Sequence, residues 1–239
     1  MTKPNPHEPD PRPALNRERV LATAIALADR AGFESLTMRK LADELNAGVM
    51  SLYHYFPGKV ELLDGMIEAV FGEIEPPPPE VEWRAALKRR ALSTREVLNR
   101  HRWAVGLMES RTTPGPTSLR LHDAVLGCLR EAGFPVELAI QAYSVQDAYI
   151  YGFALQEKHL PFDDAAGGAA VARAQVTEYA ELAEERQLGG LAEAFPHLHE
   201  VVAGHVAEVG YDFAGAFEYG LDLILDALER RRLEATSPG

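Results

Sequence analysis

Residues 36–59 read LTMRKLADELNAGVMSLYHYFPGK, and the fold follows from how this stretch is punctuated. Thr37 stands where a side-chain oxygen can cap a helix, with Leu36 and Leu41 spaced to clamp its first turn. Leu41, Ala42 and Leu45 then fall on one face. Asn46 tolerates the left-handed backbone at which helices commonly end. The spacing therefore predicts a stop at Asn46, a bend at Ala47 and Gly48, and another short helix over Val49–Phe56. Two short helices joined by a tight turn are what the major groove of DNA accepts. Ala42 is small where the two helices must approach closely, and Leu45 and Leu52 bury between them. Tyr53, His54 and Tyr55 in succession cannot all turn to one face.

Upstream, Asn16 can cap a first helix, stapled by Leu15 against Val20 and ending at Gly32. Downstream of Pro57 and Gly58 comes a fourth helix, with Val60, Leu63, Ile67, Val70 and Ile74 as its expected apolar stripe. It runs into Pro76–Pro79, a run that no helix continues. Nine of the sixteen prolines lie in this run or in the first thirteen residues. The chain is thus expected to divide into a disordered arm (1–14), a helix-turn-helix domain with its connecting helix (15–75), and a larger domain (81–233). Helices are expected in the latter at about 82–100, 102–110, 116–132, 135–158, 170–187, 197–208 and 212–232, with Gly133 and Pro135 marking one junction. In the last, Phe213, Phe217, Leu221, Ile224, Leu225 and Leu228 share one side. No alternation long enough for a strand and no repeat occurs, so the fold class is all-α.

Composition sets the outer bounds. The chain has 239 residues, 46% hydrophobic and 25% charged, the proportions of a soluble globular protein. No stretch approaches the roughly 18 uncharged apolar residues of a membrane span. The first thirteen residues hold five prolines and no apolar signal core, so cytoplasmic residence is expected. The lone Cys128 agrees, since it forbids an internal disulfide. The formal net charge of -12 argues against a nucleic-acid partner until its distribution is considered. Residues 15–60 hold six basic and five acidic side chains, whereas from residue 61 onward 16 basic face 29 acidic ones. The two parts meet different partners.

The residues that would meet DNA follow from this geometry. Gly48, Val49, Met50 and Ser51 open the third helix, the end presented to base edges. Val49 and Met50 offer apolar surface to thymine methyls, and Ser51 can bond to several bases. Phosphate contacts are expected from Thr37 at a helix N-terminus, Arg39, Tyr53 and Tyr55 through their hydroxyls, and Lys59 at the start of the fourth helix. His54 is the neighbouring side chain able to change charge near neutral pH, and an exposed position with no special task is its expected fate. Lys3 and Arg12 in the arm are balanced by Glu8 and Asp10.

The motifs Leu36-Thr-x-Arg-Lys-Leu-Ala42, Ser51-Leu-Tyr-x-Tyr-Phe56 and Lys59-x-x-Leu-Leu63 resemble the tetracycline-repressor (TetR) family of bacterial transcriptional regulators. The likeness continues through Glu82-Trp83-Arg84, His101-Arg-Trp103, Leu129-Arg-Glu-Ala-Gly-Phe134 and Tyr151-Gly152-Phe153, which are similar to the C-terminal domain of the tetracycline-repressor subgroup. This resemblance implies a homodimer that binds a double-stranded DNA operator and a small-molecule effector. The fourth helix would be the pendulum that changes the spacing of two DNA-reading heads. Asn46-Ala47 departs from the Gly-Val common at the turn. With Gly152 and His101 as anchors, the drug-chelating positions fall near Met108, Ala148 and Gln156, which supply no comparable set. The expected inducer is therefore a molecule other than tetracycline.

Candidates for the small-molecule site are Trp103, Met108, Tyr143, Asp147, Ile150 and Tyr151. Core packing is the ordinary role for most aromatic and methionine residues of this region. Asp147, Gln141 and Gln146 interrupt an apolar helix, and a dimer interface or a solvated position is expected for them. The dimer surface is expected on the 135–158 helix and the last helix, both with broad apolar stripes. His197 and His199 are two apart and point to different faces, and with His205 they complete no recognised metal spacing, so no metal or cofactor is expected. Arg230–Arg232 closes the final helix, where cations meet the negative end of its dipole. Rival readings are a helical enzyme recruiting Asp147, His101 or Tyr151, and a scaffold that dimerises through its last helices. No phosphate loop, zinc spacing or nucleophile elbow supports the enzyme.

Overall fold

The structure, a computed structural model, describes residues 14–109, 114–161, 165–185 and 191–236. Every regular element among them is helical. By packing, the chain falls into two compact units. Residues up to Glu75 form the first together with Arg100–Asp123, and Pro76–Asn99 form the second together with Ala124 onward. The proline run is thus one boundary, but not the last crossing. The expected disordered arm lies, but for Ala14, outside the described residues.

The first unit is built on α1 (Arg17–Ala31), a 3-10 turn over Phe33–Ser35, α2 (Met38–Leu45), α3 (Val49–Tyr53) and α4 (Lys59–Glu73). Asn16 caps α1 by accepting the Arg19 N–H at 2.7 Å, and Thr37 caps α2 by accepting that of Lys40 at 3.2 Å. Asn46 adopts φ 51°, ψ 44°, and the amides of Asn46 and Ala47 donate to the carbonyls of Asp43 and Ala42. This pair of bonds closes α2 in the Schellman pattern. Val20, Ala24, Leu36, Leu41, Ala42, Leu45, Leu52 and Phe56 are buried behind it. At about 1.5–3 kcal/mol for each large apolar side chain, that burial holds α2 and α3, which are too short to persist alone. Gly65 lets α4 come close, since a Cβ there would meet Leu21 and Phe56 at 3.0 and 3.1 Å.

Two expectations are corrected in this unit. The third helix stops at Tyr53 rather than Phe56, because Phe56 turns inward into the core. The buried face of α4 is Leu62, Met66, Ile67, Val70 and Phe71, while Val60 is exposed. The helix buries two adjacent i,i+4 rows instead of one stripe, and Val60 belongs to neither.

The second unit contains most of α5 (Trp83–Arg100), the end of α7 (Pro116–Glu131), α8 (Val136–Lys158) and α13 (Phe213–Thr236). Between α5 and α7, α6 (Ala104–Glu109) belongs to the first unit. The remaining elements are α9 (Ala165–Glu185), α10 (Leu191–Ala194), α11 (Pro196–Val201), a π-helical turn over Val202–Val206, and α12 (Ala207–Val209). The core joins Trp83, Leu87 and Ala91 to Val125, Leu129, Phe134, Ala139, Ala142, Ile150, Phe217, Leu221, Leu225 and Leu228. Trp83 meets Phe134 edge-on at 4.9 Å. Phe134 follows Gly133 (φ 88°), which ends α7, as the sequence indicates. The 170–187 helix begins earlier, at Ala165, since surrounding alanines offset the cost of Gly167 and Gly168. The expected 197–208 helix is helical throughout 196–209 and carries a π-helical turn at Val202–Val206.

The left-handed backbone at residue 46 is testable. Asn46→Gly should leave the urea midpoint of the full chain nearly unchanged or raised, because glycine adopts this φ without strain. Asn46→Val should lower stability by about 1–2 kcal/mol, the cost of a branched residue in this region. Equal midpoints for the two variants would contradict the turn.

Candidate functional site

The turn at Asn46 turns the start of α3 outward. Gly48 and Ser51 are exposed, Met50 is 79% exposed, and Val49 is half-buried beside the buried Leu52. Thr37 and Arg39 are exposed at the start of α2, and Tyr53 and His54 at the end of α3. Lys59 is half-buried at the start of α4. Among the described residues neither Arg39 nor Lys59 takes part in an ion pair, so both cations remain available to an anionic partner. Tyr55 differs from expectation. Its hydroxyl donates to the Leu15 carbonyl at 2.6 Å, fastening the chain that enters α1 to the end of α3. With its one O–H proton committed there, it does not serve as a phosphate donor.

A second constellation, which the sequence did not reveal, holds α4 from residues 100–123. Asp29 of α1 accepts the Trp103 indole N–H at 2.6 Å and lies 2.9 Å from His101 Nδ1. The other His101 nitrogen lies 3.2 Å from Glu73, which also accepts from Arg100 at 2.5 Å. Further along α4, the Glu68 carboxylate accepts the amides of Thr117 and Ser118 at 2.7 and 3.3 Å, capping α7. Glu68 and Glu73 thus tie α4 to the segment that carries α6 and the start of α7. These acids sit among ordinary solvated positions in the sequence, so only the tertiary pairing gives them meaning. Trp103 is consequently a structural member of the first unit. Met108, also in this unit, is half-buried.

The remaining small-molecule candidates lie in the second unit. Tyr143, Asp147 and Tyr151 recur every four residues on α8, and Ile150 is fully buried in the core. Asp147 is neither solvated nor left for a dimer interface. It accepts from Arg90 Nη1 at 2.5 Å, and it is 8% and Arg90 0% exposed. Gln146 is buried as well, whereas Gln141 is exposed. The side chain of Tyr143 hydrogen-bonds to Asp147, and burial followed by that carboxylate pushes the phenol far up, keeping it neutral. Burial works against the Arg90 charge, but Asp147, Tyr151 and Tyr143 outweigh it and the guanidinium is raised. Among the described residues the Nε and Nη2 of Arg90 and both amide atoms of Gln146 have no partner. A buried polar atom left so costs about 1–3 kcal/mol. Arg90 had a readable signal: it stands at a core position of α5, four residues from both Ala86 and Thr94, which are buried.

Comparison with known proteins agrees with this architecture. The family model for the N-terminal domain of bacterial regulatory proteins of the tetR family matches residues 20–66, and the tetracyclin repressor-like C-terminal domain matches residues 75–232. The chain belongs to the TetR family. It is a DNA-binding transcriptional regulator with an N-terminal helix-turn-helix and a helical C-terminal domain. It is 34% identical over 235 residues to the HTH-type transcriptional repressor DrrR1 of Streptomyces coeruleorubidus, covering 92% of this chain and 79% of the relative. It is 32% identical over 222 residues to the class C tetracycline repressor protein of Escherichia coli, covering 92% and 93%. Among solved structures, the TetR family protein ActR of Streptomyces coelicolor in complex with actinorhodin superposes with a TM-score of 0.71 at 28% identity, covering 92% and 99%.

Other expectations are placed as follows. Among the described residues no three His, Cys, Asp or Glu side chains could hold a metal ion, and no helix is long and apolar enough to cross a membrane. His197 and His205 are exposed and His199 half-buried. Met108 is half-buried and Ala148 and Gln156 are exposed, the three positions near which the chelating groups of the subgroup would fall.

The grip on α4 makes a direct prediction. Glu68→Ala removes two charge-assisted bonds to the first turn of α7 and should lower stability by about 1–2 kcal/mol. Glu68→Gln, which keeps an acceptor, should lose less. Thermal unfolding of the three proteins measures the order.

Proposed function

We propose that this chain is a homodimeric repressor that grips a double-stranded DNA operator through two α3 helices and lets go when a small molecule other than tetracycline binds the second unit. The observation that carries the DNA reading is the exposed opening edge of α3, with Met50 and Ser51 outward and the uncommitted cations of Arg39 and Lys59 at its flanks. In this reading Gly48, Val49, Met50 and Ser51 meet base edges, Thr37, Arg39, Tyr53 and Lys59 meet phosphates, and His54 sits beside them. Sequence is then read largely through apolar contact with thymine methyls.

Repression and release are supported by what the relatives are called: DrrR1 is a repressor, and ActR has been crystallised with actinorhodin. The absence of a chelating set at Met108, Ala148 and Gln156 argues against tetracycline as the effector. Tyr143, Asp147 and Tyr151, with Arg90 opposite, supply the polar wall of the effector site. Effector binding shifts the population toward a state in which α4, held at Glu68 and Glu73, carries its head out of register. Tyr219 and Leu223 on α13, with Ile140, Val145 and Leu155 on α8, are exposed large apolar side chains that a second copy of the chain would cover. A protein working on an operator resides in the cytoplasm.

The test is titration of labelled DNA from upstream of its own coding region at several salt concentrations. Affinity should fall steeply with salt and exceed that for unrelated DNA. Arg39→Ala should weaken binding to both and reduce the salt slope by about 1. Met50→Ala should leave the slope unchanged and narrow the gap between the two DNAs. Binding that ignores salt and sequence would refute the assignment.

A further inference from the structure

All four buried side-chain polar atoms without a partner among the described residues belong to two residues of the second unit: Arg90, which pairs with Asp147, and Gln146, the residue before Asp147. Their distribution on Arg90 is specific. Asp147 takes only the Nη1 end, and is itself held by Tyr143, so the Nε–Nη2 edge stays open. That edge is the fork whose two parallel N–H groups match the two oxygens of a carboxylate. The same unit fills it twice elsewhere. Arg95 receives Glu157 on Nε and Nη2 at 2.9 and 2.5 Å, and Arg232 receives Glu229 on the same atoms at 2.7 and 2.8 Å. Arg90 is the most buried of the three, at 0% exposure, and its fork holds no group of the described residues. A side chain so enclosed offers no surface to a second copy of the chain, whereas a small molecule taken into the interior of the unit would meet it.

We propose that the effector is an organic carboxylate, docked with both oxygens on the Nε–Nη2 edge of Arg90. Asp147 orients the guanidinium from behind, and Tyr143 fixes Asp147. Gln146 offers one donor and one acceptor to polar groups on the rest of the molecule. Leu87 and Ala91, beside Arg90 on α5, and Ile150, one turn from Asp147 on α8, belong to the buried apolar core, surroundings that suit a hydrophobic body rather than a hydrated inorganic anion. The inference rests on the reading of the second unit as the effector domain, and it adds the charge and shape of the group recognised.

The experiment uses the full-length protein and matched pairs of probes: benzoate, 2-naphthoate and anthraquinone-2-carboxylate, each against its neutral carboxamide. Calorimetric titration should show at least one acid binding about tenfold or more tightly than its own amide. Arg90→Lys, which keeps the charge and loses the fork, should remove most of that preference, and Arg90→Gln combined with Asp147→Asn should abolish it in a protein of unchanged helical signal. Three acids no tighter than their amides, binding by none, or a preference that survives both variants would overturn the proposal. So would inorganic phosphate competing as well as the acids. Adding labelled upstream DNA separates the two readings. Amides that release the DNA as well as the acids do would leave ligand-controlled regulation standing and remove the carboxylate. Acids preferred by a protein that never binds the DNA would keep the Arg90 site and remove the repressor.

Discussion

A helix that reads DNA must be exposed on the side that carries its contacts and yet be held rigidly from the other, and α3 is only five residues long. It has too few backbone hydrogen bonds to persist alone. Its position depends on the left-handed turn at Asn46, which sets the angle at which it leaves α2. Leu45 and Leu52 bury behind the turn, and Tyr55 ties the end of α3 to the start of α1. A slip of one residue at the turn would rotate α3 by about 100° and bring Ser51 or Tyr53 inward in place of Leu52. One backbone conformation therefore decides which side chains are offered to a partner.

The same economy governs the link to α4. Helix α4 packs on α1 through Gly65 and leaves its acidic residues for residues 100–123. Glu68 takes the amides of a helix N-terminus, and Glu73 takes His101 and Arg100. These are directional, charge-assisted bonds, so a shift in the 100–123 segment is opposed at two points one and a half turns apart on α4 rather than absorbed by sliding apolar surfaces. Asp29 adds a third point on α1.

Much of the first unit was legible in the sequence because its signals are local. The caps at Asn16 and Thr37, the left-handed Asn46 and the stop at Gly32 are decided within a few residues. Where neighbours distant in sequence decide, the reading failed. The stripe of α4 holds at Ile67, Val70 and Ile74 but includes the exposed Val60 and omits Leu62, Met66 and Phe71, because the helix is covered on two sides, and the phenol of Tyr55 goes to a carbonyl forty residues upstream. The site residues divide in the same way. Gly48, Met50 and Ser51 can be placed by counting from a helix start, whereas the hydrogen bond of Trp103 to Asp29 spans seventy-four residues and no local pattern announces it.

Asp147 shows why the interior was the hardest to read. A carboxylate in an apolar helix can be solvated, shared between subunits or neutralised within one chain, and the choice depends on whether a cation stands at a core position of another helix. Arg90 does, inside the run Lys88-Arg89-Arg90, where three like charges look like a solvated face. Helical geometry spreads them by about 100° each, so they cannot share one environment. Lys88 pairs with Asp222 at the surface of the unit, and Arg90 points into its core. Burying an ion pair gains little stability over apolar side chains of the same size, and less still when half of the guanidinium is left without acceptors. Cohesion alone therefore does not account for Arg90 and Asp147 at these core positions.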